Sequence, residues 1–100
     1  MTYENTIGAA PVVLVEFYAT WCPHCRHMMP VVEQVKQQLG DSVPVYQFDI
    51  DKDKEAATTA EVETIPTFII YKDGREEWRH SGEIDENALL AKIKSLFNNL

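Results

Sequence analysis

Basic residues are scarce in this chain: nine Lys and Arg stand against 16 Asp and Glu, for a formal net charge of −7 over 100 residues. Without a Lys/Arg cluster there is nothing to neutralise a phosphate backbone, so nucleic-acid binding is not expected. The same deficit argues against docking on an anionic membrane. Long apolar runs are missing too. The richest, Val12 to Ala19, is interrupted by Glu16, well short of the ~18 apolar residues a membrane span needs. The N-terminal Met1-Thr2-Tyr3-Glu4-Asn5 lacks the basic and apolar regions of a secretory signal, which favours a cytoplasmic protein. Only two cysteines are present, too few for the disulfide framework of a secreted miniprotein. No repeat, low-complexity tract or linker divides the chain, so residues 1–100 are read as one domain.

The remaining composition, 45% hydrophobic and 25% charged, is that of a globular protein. Val12-Val13-Leu14-Val15-Glu16-Phe17-Tyr18 is apolar on both alternating faces apart from Glu16, which predicts a strand covered on both sides. From Pro23 to Leu39, the stripe of Met28, Val32, Val35 and Leu39 predicts a helix, with a kink at Pro30 and a stop at Gly40. Val43 to Ile50 reads as a second strand. A short helix with Ala56, Ala57 and Ala60 on its inner face lies within Asp51 to Val62. Thr67 to Tyr71 and Glu76 to His80 are strands joined through Asp73-Gly74, a strong hairpin signal. A last helix starts at Asp85 and buries Leu89, Leu90, Ile93, Leu96, Phe97 and Leu100, with Ile84 and Leu89 placed for a hydrophobic staple. The order β-α-β-α-β-β-α predicts an α/β fold: a four-stranded mixed sheet with helices on both faces.

The two cysteines form one unit, Cys22-Pro23-His24-Cys25, between a strand and a helix. Free backbone N–H groups and the helix dipole favour a negative charge at that junction, which suits a reactive thiolate. Cys25, one turn on, is placed to close a disulfide with Cys22 or to displace a partner bound to it.

With Val15 to Cys25, Pro30, Phe48-Asp49-Ile50-Asp51, Ile65-Pro66-Thr67, Asp73-Gly74 and Gly82, the chain resembles the thioredoxin family over nearly its whole length. The resemblance implies a thioredoxin fold and a protein-disulfide oxidoreductase, with Cys22 as nucleophile and Cys25 as resolving thiol. It implies a cis Ile65–Pro66 bond against the cysteines, whose backbone pairs with an incoming peptide; the bland reading of Pro66 is a strand-initiating proline. Trp21 and the Ile65-Pro66-Thr67 loop would make the substrate-binding patch. Glu16 shares a buried strand face with Val12 and Leu14, so its pKa should rise. In the family this position carries an acid beneath the second cysteine, which makes Glu16 the acid/base for Cys25. A strand end reaching solvent is the plainer reading of Glu16.

Three departures from the family pattern matter. Pro23-His24 replaces the common Gly-Pro and is similar to the strongly oxidising disulfide-forming members of the superfamily. A charged His24 would tune the pair toward a better oxidant, unless it is simply a helix-start residue. Gln47 stands where a lysine often accompanies the buried acid. The family's first edge strand and much of its first helix are unmatched, which leaves Val43 to Ile50 as an exposed edge.

The resulting expectation is a thioredoxin-like disulfide reductant acting on protein disulfides with a reductase as partner. It needs no cofactor beyond its own dithiol, and is a monomer whose exposed edge would permit dimerisation. The alternatives are a disulfide-donating oxidase or isomerase and a thioredoxin-fold binding module without activity. Zinc held by the cysteines with His24 or His27 is disfavoured, since no second Cys pair exists, and no metal site is expected. His27 and His80 receive no role.

Overall fold

The structure, a computed structural model, describes residues 2–97. In chain order its elements are α1 (Tyr3–Ile7), β1 (Val12–Tyr18), α2 (Pro23–Leu39), β2 (Val45–Asp49), α3 (Lys54–Thr59), β3 (Thr67–Lys72), β4 (Arg75–Ser81) and α4 (Glu86–Phe97). The strands form a four-stranded sheet in the order β2-β1-β3-β4. β1 pairs in parallel with β2 and antiparallel with β3, and β3 pairs antiparallel with β4. The sheet is therefore mixed, as the element order predicts.

β1 lies in the middle of the core, and each residue from Val12 to Phe17 is buried. Its alternation splits the core in two. Val12 and Leu14 pack with Phe68, Ile70 and the inner faces of α2 and α4, including Met28, Val32, Val35, Leu89 and Ile93. Val13, Val15 and Phe17 pack on the other side with Ile69, Tyr71, Ala56 and Ala60, against α1 and α3. Both faces are covered, which is why β1 can be apolar throughout.

Several local expectations meet their physical limits here. Val43 is buried, but β2 opens only at Val45, because Pro44 has no N–H to give a ladder. The carbonyl of Pro44 still accepts the Leu14 N–H at 3.1 Å. α2 runs on as one helix through Pro30; Pro30 and Arg26, four residues before it, lie on the exposed side of the helix. The short helix α1 has no counterpart in the sequence reading. Thr2 caps it by accepting the Asn5 N–H, and Tyr3 pins it to the sheet through ring contacts with Phe17, Phe48 and Tyr71. At α4 the expected cap is in place, since Asp85 Oδ2 accepts the N–H groups of Asn87 and Ala88 at 3.0 and 3.3 Å. Ile84 packs on the cluster holding Leu89, as the staple requires. Leu100, expected on the buried stripe of α4, lies outside the described residues.

The β3–β4 connection is a two-residue turn with Asp73 at φ 52° and Gly74 at φ 80°. Positive φ at both positions suits the twist of the flanking strands. β2 is an edge strand, as expected from the unmatched N-terminal strand.

Candidate active site

Cys22 caps α2 with extended backbone, and Pro23 is the first helical residue, where a missing N–H costs nothing. The Cys22 sulfur accepts the Cys25 N–H at 3.2 Å, so a donor of the first helical turn is aimed at the sulfur itself. Both thiols are free and buried, at 4% and 3% exposure. They pack with Ala19, Tyr18, Ile50 and Ile65. The thiol of Cys22 faces the Ile65 carbonyl at 3.9 Å.

The Ile65–Pro66 bond is cis, as the resemblance implies, and the Ile65 carbonyl lies beside Cys22. Pro66 is buried, and its carbonyl accepts the Gly82 N–H at 2.7 Å. Thr67 is also buried; its hydroxyl donates to the Thr64 carbonyl at 2.6 Å and lies 3.0 Å from that of Ser81. The loop is thus fixed from β4 and from its own start.

Trp21 is 60% exposed on the site's rim. Its indole N–H donates to Asp51 Oδ2 at 2.8 Å. Asp51 opens the charged run Asp51-Lys52-Asp53-Lys54-Glu55, and it orients the most exposed aromatic ring of the site. Met28 is core, whereas Met29 is 64% exposed.

Glu16 lies in the interior, at 2% exposure, which removes the solvent-reaching alternative. It stands opposite Gln47 in the β1–β2 register. The Gln47 side-chain N–H donates to Glu16 Oε1 at 2.9 Å, and Gln47 Oε1 of the same amide accepts from Lys36 Nζ at 3.1 Å. Burial raises the Glu16 pKa, opposed by the Gln47 hydrogen bond and by the Lys36 charge. β2 carries no cation at Gln47, where the family often has a lysine. The charge comes instead from α2, through Lys36. The register of parallel strands makes Gln47 legible, but Lys36 becomes a neighbour only once α2 crosses over β2. Burial and the Cys22 hydrogen bond push the Cys25 thiol up to about 12, with the charges of Cys22 and Glu16 adding to the effect and an Ala19 backbone hydrogen bond opposing it.

His24 and His27 are exposed on the first turns of α2, and both Nδ1 atoms approach one oxygen of Glu83, at 2.7 and 3.2 Å. The hydrogen bonds from His24 and then His27 hold the Glu83 carboxyl below the usual range. Glu83 is not among the residues singled out from the sequence, although the His24-x-x-His27 spacing, which puts both rings on one helix face, was visible there.

Against this geometry, the thioredoxin family profile matches residues 1–95. The chain is 41% identical over 83 residues to rice thioredoxin Y, chloroplastic, covering 83% of this chain and 49% of that one. It is 37% identical to the thioredoxin of Mycolicibacterium smegmatis, covering 89% of this chain and 81% of that one. The chain thus spans about half the length of the plant relatives and most of the bacterial one. Among solved structures, a mutant thioredoxin from Halobacterium salinarum superposes with a TM-score of 0.85 at 32% identity, covering 94% and 81% of the two chains. Oxidised mitochondrial thioredoxin 3 of Saccharomyces cerevisiae gives 0.82 at 32%, covering 93% and 86%. The profile match, the fold and the paired cysteines agree: the chain belongs to the thioredoxin family, a family of protein-disulfide oxidoreductases.

Proposed function

We propose that this chain is a protein thiol–disulfide oxidoreductase working chiefly as a disulfide reductant. The observation that carries the reading is the Cys22 sulfur, which accepts a helix N–H on one side and faces the Ile65 carbonyl on the other. A substrate peptide extended along Ile65-Pro66-Thr67 would bring its disulfide to Cys22. The Cys22 thiolate attacks one substrate sulfur, forming a mixed disulfide, and the other substrate sulfur leaves as a thiolate. Cys25 then passes its proton to Glu16 and attacks the Cys22 sulfur. The second substrate thiolate is released, and two electrons have moved from the dithiol to the substrate. A reductase or another dithiol partner restores the pair. Trp21, held by Asp51, lines the docking rim.

The direction of electron flow is read from His24. An unopposed imidazolium beside Cys22 would favour the reduced form and make the disulfide a strong oxidant. The Glu83 carboxylate at 2.7 Å from His24 offsets that charge, which favours a reductant. Such an activity suits a compartment kept reducing, such as the cytoplasm; among the described residues no helix is long and apolar enough to cross a membrane. The protein is read as a monomer, with the dithiol as its redox group.

The test has two parts. Cys25→Ser should retain Cys22 attack and accumulate mixed disulfides in cell extract; no adducts would favour a binding module. The potential of the wild-type pair, equilibrated with dithiothreitol and glutathione, should lie nearer about −270 mV than about −120 mV, the span of such couples. A value at the upper end would mean that His24 sets the poise and the chain donates disulfides.

A further inference from the structure

The His24, His27 and Glu83 cluster lies at the rim of the dithiol, and the reading above gives His27 no part. One ligand atom from each residue, two imidazole nitrogens and a carboxylate oxygen, lies within 4.8 Å of the other two. The two Nδ1 atoms share a single Glu83 oxygen, at 2.7 and 3.2 Å. Donors on a tetrahedral zinc ion, each about 2.0–2.2 Å from the metal, lie roughly 3.3–3.5 Å apart. The His27–Glu83 separation is nearly that already, and the His24–Glu83 separation has to open by well under ~1 Å. The two imidazole nitrogens, within 4.8 Å of each other, have to close on the ion, and all three side chains are exposed, which leaves them room to turn.

The backbone holds the ligands in place from two elements. His24 and His27 are separated by one helical turn of α2. Glu83 follows Gly82, whose φ of 99° makes the turn out of β4 that a side chain at that position would resist. The Gly82 N–H is tied to the Pro66 carbonyl, and His80 Nε2 lies 3.1 Å from the Glu83 carbonyl oxygen. The carboxylate is therefore presented from a turn fixed on both sides. Two imidazoles and one carboxylate form a donor set that suits Zn²⁺ and leaves the fourth position to water.

We infer that His24, His27 and Glu83 form a surface Zn²⁺ site on the rim of the Cys22–Cys25 pair, built without either sulfur. The cysteines are not in the converging group, which distinguishes this site from a cysteine-held zinc. An ion here would place a divalent charge and its water beside the N-terminus of α2, where partner proteins dock in the reading above; the site itself does not depend on that reading.

The test removes the sulfurs first. Zn²⁺ is titrated against a chromophoric chelator into tag-free Cys22→Ser/Cys25→Ser protein; should that variant not fold, oxidised wild type, whose sulfurs are paired, replaces it. One ion per chain is expected. Adding His27→Ala, or separately Glu83→Gln, should weaken binding tenfold or more, and both positions are exposed enough for the fold to persist. Zn²⁺ binding seen only when free thiols are present would overturn the inference, as would affinity unchanged by both added substitutions.

Discussion

Gln47 donates to the buried Glu16 carboxyl at 2.9 Å while accepting from Lys36 at 3.1 Å, linking the core acid to the edge of the sheet. Gln47 itself is exposed, so one side chain connects solvent to a group at 2% exposure. Burial pushes the Glu16 pKa up, while the Gln47 hydrogen bond and the Lys36 charge pull it down. The acid is thereby held against full desolvation by partners from β2 and α2.

If Glu16 takes the Cys25 proton, Glu16→Ala should slow disulfide turnover near neutral pH, at the lower end of the ~10²–10⁴-fold that positioned acid–base groups contribute. Formation of the first mixed disulfide, the work of Cys22, should change little. Lys36→Met should raise the Glu16 pKa further, because it deletes a lowering influence. Carboxyl NMR titration of Glu16 and single-turnover reduction of a model disulfide check both expectations. Equal resolution rates in Glu16→Ala and wild type would remove Glu16 from the mechanism.

The same carboxyl makes stability depend on pH. Its folded pKa is raised, so the folded state holds this proton more tightly than the unfolded chain does. The stabilisation is fully present below the unfolded value, near pH ~4.3. It declines as pH rises toward the folded value, by at most about 1.4 kcal/mol per pH unit from this group. Glu16→Gln cannot ionise and should lack this decline. Urea midpoints of the reduced proteins between about pH 5 and pH 8 should therefore fall more in wild type than in Glu16→Gln. Parallel profiles would show that Glu16 ionises normally.

The parts of this design that follow chain-local rules were legible in the sequence. The alternation at Val12 to Phe17, the stripe from Met28 to Leu39 and the Asp73-Gly74 turn each involve residues a few positions apart, and periodicity reads them directly. Cys22 and Cys25 are a local pair, and Glu16 betrayed itself as a charge on an apolar strand. What escaped depends on approach between distant segments. Lys36 meets Gln47 across eleven positions and a helix crossover, Trp21 finds Asp51 thirty positions on, and Glu83 reaches His27 from 56 positions away. Helix α1 escaped for another reason: five residues carry too little periodicity to register, and its place rests on the Tyr3 ring contacts.

The β3–β4 turn offers a check on the fold that leaves the site alone. Gly74 has φ 80°, and an added Cβ would meet nothing within 4 Å. Gly74→Ala should thus act through the backbone only, costing on the order of 1 kcal/mol. Denaturant unfolding should show that loss, while turnover per folded molecule stays at the wild-type level. An unchanged midpoint would mean that the turn relaxes out of its positive-φ geometry.

Cys25 should be the silent thiol of the pair. Burial, followed by the Cys22 hydrogen bond, pushes its pKa up to about 12, so near pH 7 only about one part in 10⁵ is thiolate. Brief alkylation of the reduced protein with iodoacetamide should modify one sulfur per chain, and peptide mass spectrometry should place it on Cys22. The two cysteines are almost equally buried, so exposure does not rank them, and the pH dependence has to show whether ionisation does. In Cys22→Ser the neighbouring sulfur is gone, but burial, the largest raising influence, remains. The Cys25 labelling rate should then climb about tenfold per pH unit from about pH 7 to about pH 9 without a plateau. A plateau inside that range would mean an ordinary thiol that is merely shielded. Resolution of the mixed disulfide would then not depend on a buried proton acceptor, and the role proposed for Glu16 would fall.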